Sequence, residues 1–276
     1  MINKILLLIL IIILLSIYSF KINQKISHFS NKKTYKVAIC FYGLTRSLKY
    51  TYDSINQNIL NELKNANIDY DIILHTYDLK YLKLKRSNED TMLDTTEWKL
   101  LKPDSIKIDN QDDFDKSYDY TYIKSFGDVW KSNFENTMNL IRQFNSLQQV
   151  WKLCEKNNKK YDCYLFLRPD LKYTKKIDIK QVVDACSNDN TIYTPSWSTF
   201  KGLNDRMALG DYNSMKIYSN RIDYVNNYLK ITKKPLHAER FLKYVLDKNN
   251  LKNKEFKMVG KRIRSNGIVD KRDEPL

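Results

Sequence analysis

Glycine and proline are scarce in this chain of 276 residues, with six of the first and five of the second. No repeat period is visible, so collagen-like, low-complexity and solenoid architectures are excluded. Histidine occurs three times and cysteine four times, at Cys40, Cys154, Cys163 and Cys186. None of these forms a CxxC pair and the histidines lie far from them, which argues against a zinc site. Cys40 and Cys163 fall in or beside apolar runs and read as small core residues, and the four do not read as a disulfide framework. The glycine pattern is not GxGxxG, so no dinucleotide fingerprint is present. No Arg/Lys block with interleaved aromatics marks a nucleic-acid groove, and no nucleic-acid partner is expected. There is also no N-x-[ST] sequon, although Asn is common. The chain either avoids N-glycosylation or does not meet that machinery, and a lumenal location remains open.

What is present is a strong basic balance, +15, with 42% hydrophobic and 13% aromatic residues. Such a balance fits nucleic acid, anionic lipid or phosphate-bearing partners. It also fits plain composition bias, because Lys, Asn, Ile and Tyr are all abundant, as an AT-rich genome favours. The apolar content is enough for a core, and the length fits one large domain. Ile5 to Phe20 is apolar apart from Ser16 and Ser19, with Lys4 and Lys21 at its ends. As a helix it spans ~24 Å against a hydrocarbon core of ~30 Å. No small-x-small cleavage site follows. Residues 1–20 are therefore expected to be a single transmembrane signal anchor, with 21–34 as a basic stalk. Lysines on both sides leave orientation open. A type II orientation would place the domain in the ER or Golgi lumen.

The remaining chain alternates strand and helix patterns. Lys36 to Tyr42 reads as a buried strand, followed by Gly43 at a sharp turn and Arg46 at the next helix start. Leu48, Tyr52, Ile55, Ile59, Leu60 and Leu63 recur at helical spacing, and Asp69 to Tyr77 is a second strand. That is a β-α-β unit with parallel strands. His75 and Asp78 close the second strand, and a lone His there reads more readily as a satisfied structural residue than as a ligand. Lys80 to Glu97 reads as a polar loop or short helix, and Asp104 to Ile108 as a short strand. Asn133 to Asn157 is the longest helix, with Met138, Ile141, Phe144, Leu147, Trp151 and Cys154 as a packing stripe. Cys163 to Leu167 is a buried strand stopped by Arg168-Pro169-Asp170, because proline cannot donate to a ladder. A helix near Ile179 to Cys186 and a strand at Thr191 to Thr194 follow. Asn204-Asp205-Arg206 then runs into a short apolar segment. Asp211 is expected to cap a helix through Tyr228, and Pro235 to open a last helix with His237, Glu239 and Arg240 in its first turn. Val259 to Arg264 reads as a final strand, and the basic end of the chain as a frayed tail.

The fold class is therefore α/β: a Rossmann-like, mostly parallel sheet flanked by helices. Its polar motifs all fall at strand exits or helix starts, where open α/β sheets bind ligands. A carboxylate at Asp170 could hold a hard cation and, through it, phosphate oxygens. The plainer alternatives are a helix-capping Asp170 beside an Arg in a surface ion pair, and a Glu239 that simply favours a helix N-terminus. Together the motifs suit a phosphate-bearing donor bound through a divalent ion, with one carboxylate left to act on a hydroxyl.

The ordered set VAICFYGLTRS, YDCYLFLRPDL, NDRMALGDYNSMKIYS and HAERFLKYVL resembles a group of GT-A-type glycosyltransferase-like proteins from polysaccharide-biosynthesis gene sets and large DNA viruses. The resemblance covers roughly residues 35–267, with 268–276 as tail. It implies a GT-A-like domain, a nucleotide-sugar donor, a glycan or glycoprotein acceptor, and Mn²⁺ or Mg²⁺. Asp170 takes the place of the metal-holding Asp-x-Asp motif, and Arg168 stands where its first Asp would be. That departure implies either a weaker metal site or an Arg168 that clamps the diphosphate directly. Gly43 and Arg46 match the nucleotide-side loop, Asn204 and Asp205 would face sugar or acceptor, and Glu239 matches a late acidic residue serving as base or acceptor ligand. In an inverting enzyme Asp205 or Glu239 would take the acceptor proton; in a retaining one neither need do so. The competing reading is a membrane-anchored, non-catalytic GT-A-like binding protein. A basic nucleic-acid-associated protein is a third.

Overall fold

Strand β1 (Lys36–Tyr42) is apolar on every residue after the first, because helices cover it on both sides. Successive side chains alternate. Ala38, Cys40 and Tyr42 enter one hydrophobic cluster, and Val37, Ile39 and Phe41 the other. The structure is a computed structural model that describes residues 34–273. The expected anchor, 1–20, lies outside the described residues. Among the described residues, no helix is long and apolar enough to cross a membrane.

After β1 the chain turns into α1 (Leu48–Ile55), which continues through a π turn, Asn56–Leu60, into α2 (Asn61–Asn65). Its apolar stripe lies on the second cluster, and the chain returns through β2 (Asp69–Asp78), parallel to β1. The region expected as a polar loop is instead a hairpin, β3 (Tyr81–Leu84) and β4 (Glu89–Met92). Its sequence, YLKL and EDTM, has too little apolar alternation to read as strand. Next come β5 (Ser105–Asn110), α3 (Gln111–Ser117) and α4 (Thr121–Lys124). Helix α5 (Glu135–Lys156) is the long helix that the period predicts, with Phe144 and Trp151 buried against the sheet. Truncating either to Ala should cost ~3–5 kcal/mol.

The second half holds β6 (Cys163–Leu167), β7 (Leu171–Tyr173), α6 (Ile179–Ala185), β8 (Thr191–Pro195) and β9 (Ala208–Gly210). Helix α7 (Tyr212–Ser219) is capped by the Asp211 side chain, which accepts from Ser214 N. It stops at Asn220 rather than running to Tyr228. A 3₁₀ turn, Arg221–Tyr224, intervenes before α8 (Val225–Thr232), because Arg221 turns fully into the interior. Helix α9 (Ala238–Lys248) leads to β10 (Lys252–Phe256) and β11 (Gly260–Arg262). β10, with sequence KNKEF, was not legible: it is an exposed edge strand beside β8.

The seven-stranded sheet has the order β10-β8-β9-β6-β1-β2-β5, and β9 alone is antiparallel to its neighbours. Two features of this order build the site. The chain moves outward from β1 through β2 on one side and places β6 on the other, so the carboxyl ends of β1 and β6 form the switch-point crevice. Because β9 runs the other way, the loop before it reaches the carboxyl end of β6. β11 pairs with β7 just beyond the β6 exit, and Ile263 N donates to the Asp170 carbonyl at 2.8 Å.

The cysteines also differ from expectation. Cys163 and Cys186 form a disulfide from the start of β6 to the end of α6. The crossover returns α6 onto its own strand, a proximity that spacing along the chain does not encode.

Candidate functional site

Pro169 ends β6 and leaves Arg168 and Asp170 turned toward each other. Arg168 donates from Nε to Asp170 Oδ1 at 2.8 Å and from Nη2 to Oδ2 at 2.7 Å. Its third donor, Nη1, reaches Gln143 Oε1 at 2.8 Å, and Gln143 Nε2 reaches Asp205 Oδ2 at 2.9 Å. Arg46, from the loop after β1, lies 3.4 Å from Asp170 and 3.5 Å from Glu89. Burial opposes ionisation of Asp170, but Arg168, then Arg46 and Arg264, hold its carboxyl well below the usual range.

The network continues through residues expected to be a frayed tail. Arg264 meets Glu89 at 3.3 Å and pairs with Asp270. Arg272 also binds Asp270, with Nε at 2.8 Å. Arg262 grips Asp273 with two bonds of 2.8 Å, and Arg206 reaches the same carboxylate at 3.0 Å. Asp273 is fully buried; Arg262 is the chief partner that holds it down to about 2 against its burial. The tail is therefore ordered at least to Asp273, because burying these carboxylates requires their cations.

Among the described residues, arginines outnumber carboxyls here. The chain has ten arginines, and eight of them (Arg46, Arg86, Arg168, Arg206, Arg221, Arg262, Arg264 and Arg272) belong to this cluster. Among the described residues six carboxyls face them: Glu89, Asp170, Asp205, Glu239, Asp270 and Asp273. Burial and arginine neighbours lower Arg206 and Arg86 to about 10, and Arg264 to about 9. All remain charged at neutral pH, and the shifts reflect burial first and neighbouring arginines second. Arg86 stacks over Trp130 at 5.7 Å and reaches no carboxylate among the described residues. Donors are also left over. Arg221 Nε and Nη2, Arg264 Nε and His237 Nδ1 are buried without a hydrogen bond among the described residues.

Glu239 sits in the first turn of α9. The loop before β9 is pressed against that turn. Leu203 N donates to the Glu239 carbonyl at 3.0 Å, and a Cβ on Gly202 would lie 2.1 Å from the same oxygen. Burial first, and then the Asp205 carboxylate, push Glu239 up to about 8. His237 Nδ1 is 3.2 Å from Glu239 Oε2 but is not aligned for a hydrogen bond. The His237 ring stacks on Trp130 at 5.8 Å and approaches the exposed Phe200 at 6.4 Å.

The predicted residues thus separate into groups. Arg46, Arg168, Asp170, Asp205 and Glu239 come together. Gly43 lies at the same edge, with φ +96°, open space where a Cβ would stand, and its N–H on Ser146 Oγ at 2.8 Å. Asn204 is fully buried and clasps its own loop, donating to the Trp197 carbonyl at 2.7 Å and accepting from Arg206 N at 2.9 Å. His75 is a satisfied structural residue, as its place predicted. Ser146 Oγ lies 2.7 Å from Nδ1, and Asp109 lies 3.1 Å from Nε2.

The residues do not fit Mn²⁺ or Mg²⁺. Both Asp170 oxygens are engaged by a guanidinium, and no group of three His, Cys, Asp or Glu side chains that could hold a metal ion gathers among the described residues. Hard cations want several free oxygen ligands. The donor set is that of an anion site. Two cavities, of about 510 and 370 Å³, are lined by other residues; the second reaches only the start of the loop before β9, at Ser196 and Trp197.

Arg206 stood out only as part of Asn204-Asp205-Arg206, and Arg262, Arg264 and Arg272, in the final strand and the tail, were missed as site residues because their partners Glu89, Asp270 and Asp273 are set by tertiary contacts. One signal was available. In a chain dominated by lysine, arginine is rare, and it gathers at one place.

The chain belongs to a family known as a domain of unknown function, DUF7796, whose profile matches residues 32–260. No curated protein matches the chain. Among solved structures it is similar to mouse xyloside xylosyltransferase 1 in its apo form, at 10% identity over 81% of this chain and 85% of that one, with a TM-score of 0.41. It is similar to a putative glucose-1-phosphate thymidylyltransferase from Bacillus anthracis in complex with a sucrose, at 12% identity, 82% and 89% coverage and a TM-score of 0.36. It is also similar to the galactosyltransferase LgtC in complex with donor and acceptor sugar analogs, at 8% identity, 79% and 72% coverage and a TM-score of 0.37.

Proposed function

We propose that the chain is a glycosyltransferase that moves a sugar from a nucleotide-sugar donor to a hydroxyl of a glycan or other acceptor. The observation that carries this reading is the excess of arginine, with unmet buried donors, beside a carboxyl pushed up to about 8. Guanidinium groups bind diphosphate oxygens through forked, charge-assisted hydrogen bonds. Arg86, Arg206, Arg262 and Arg264 hold the diphosphate, the part a metal ion would otherwise play. Arg168 acts indirectly, fixing Asp170 and, through Gln143, Asp205.

The acceptor oxygen attacks the anomeric carbon as the bond from that carbon to the diphosphate oxygen breaks. The electron pair leaves with the diphosphate, and the arginines stabilise the charge as it grows. The acceptor proton passes to the Glu239 carboxylate, or to Asp205. A base near pH 8 suits this task, because its protonated form is easily reached and its free form is present at neutral pH. No step needs a metal. The Cys163–Cys186 disulfide supports an oxidising compartment, and so a type II orientation with the domain in the ER or Golgi lumen.

The test is thermal stabilisation of the full chain by a panel of UDP- and GDP-sugars, with Mn²⁺ or with EDTA. A ligand at a hundred times its dissociation constant adds ~2.7 kcal/mol of apparent stability. The expected result is a shift with one donor that survives EDTA and is lost in Arg86→Ala. A shift that needs Mn²⁺ would return the diphosphate to a metal at Asp170. No shift with any donor would favour a non-catalytic binding protein.

A further inference from the structure

Cys40 and Cys154 remain as thiols while Cys163 and Cys186 are joined. Their sulfurs are 3.4 Å apart, and both side chains are buried. Cys40 lies on β1, three residues before Gly43. Cys154 lies on α5, about two turns beyond Ser146. Among the described residues the one other polar contact of the pair is weak: Cys40 Sγ lies 3.8 Å from the Ala38 carbonyl. We propose that Cys40 and Cys154 form a second disulfide, which ties β1 to α5 through the face of the sheet opposite Cys163–Cys186.

Three observations carry this. The sulfurs, 3.4 Å apart, need to close by about 1.4 Å to reach the ~2.0 Å of a disulfide. No metal-ligating group joins them, since no metal cluster is present among the described residues. An oxidant is already required by Cys163–Cys186, and it acts before the core closes. The oxidant is a protein disulfide of the thiol–disulfide oxidoreductase class. One cysteine thiolate attacks that disulfide and forms a mixed disulfide, and the second displaces it. Two electrons and two protons leave Cys40 and Cys154 and end on the dithiol of the oxidoreductase. Once the chain has folded, burial lifts the Cys40 thiol above its ordinary value, so an unclosed pair stays inert.

The bond has a consequence for the crevice. Gly43 N–H rests on Ser146 Oγ, and that contact requires β1 and α5 to keep one register. A covalent tie on the same two elements holds it.

The test is a thiol count on the full chain from a secretory host. The protein is denatured in guanidinium with N-ethylmaleimide and no reductant, then digested and mapped by mass spectrometry. The expected result is no adduct on any cysteine, a Cys40 peptide linked to a Cys154 peptide, and four adducts after prior reduction. Adducts on Cys40 and Cys154 with Cys163–Cys186 intact overturn the proposal. So do adducts on all four, or any crossed pairing. Neither result depends on the nucleotide-sugar reading, which nucleotide-sugar binding tests separately.

Discussion

The carboxyl edge of the sheet carries two histidine–carboxylate pairs, and they differ in how well they are satisfied. His75 is fully buried, both ring nitrogens have partners, and the hydrogen bond from His75 is the leading cause that holds Asp109 down to about 2. His237 has a buried nitrogen without a hydrogen bond, and its neighbour Glu239 is pushed up to about 8. The first pair has settled into its surroundings, as a structural group does. The second is held in an unfavourable state by the loop before β9 and by α9. Groups kept away from their ordinary titration range, in a crevice with spare donors, are the better candidates for chemistry.

The comparison breaks most violently at Gly202. Gly202→Ala puts a methyl group into the Glu239 carbonyl, and backbone must move. We expect a loss of ~3 kcal/mol in chemical denaturation, since overpacking costs are of this order, together with loss of transfer. If the variant is as stable as the parent, the loop does not press on α9 as described.

Glu239→Gln sharpens the comparison at the site itself. Donor binding should persist while transfer falls ~10²–10⁴-fold, the usual worth of a general base. The parent rate should rise with pH through about 8, as the carboxylate forms, and that step should vanish in the variant. The stability sign runs the other way. Glu239 has a folded pKa above its unfolded one, so the folded state holds its proton longer and loses stability as pH rises from about 4.5 to about 8. Above that window Glu239→Gln should be the more stable protein, by an amount of order 2 kcal/mol. A variant that loses activity and stability together would make Glu239 a structural carboxyl.

Arg86→Ala should weaken donor binding ~10–100-fold, from a charge-assisted bond worth ~1.5–3 kcal/mol. Arg86 makes no ion pair among the described residues, so calorimetric stability should barely change. The smallest effect belongs to the settled pair. Asp109→Asn should cost ~1 kcal/mol at pH 7, discounted because the carboxylate is partly solvated. The depressed Asp109 pKa means that this contribution is lost as pH falls from about 4 through about 2, so parent and variant should converge in acid. Donor binding should be untouched by it.

Much of the fold was legible from period alone. β1, β6 and α5 are long or uniformly apolar, and burial leaves few other readings of such segments. The polar hairpin β3–β4 and the edge strand β10 were not legible, because they are held by backbone ladders with little apolar face. The helix expected to run to Tyr228 breaks where Arg221 turns inward, a tertiary demand that no local propensity announces. The candidate site was half legible. Arg168 and Asp170 stood out at a proline-stopped strand, and Glu239 and Asp205 at an element start and its facing loop. The sequence could not say that Asp170 would be spent on Arg168, nor that Asp270 and Asp273 would bury themselves under arginines at the other end of the chain.

By itself the sequence determined the alternation of strand and helix, and with it a sheet edge where the polar motifs fall, because periodicity is a local property. Only the tertiary structure decided the character of that edge. Charge balance depends on distances between residues far apart in the chain. Antiparallel β9 and the pairing of β11 with β7 bring the loop before β9 and the segment around Ile263 and Arg264 beside Asp170. They turn an apparent hard-cation site into an arginine-rich cluster with one carboxyl kept out of balance.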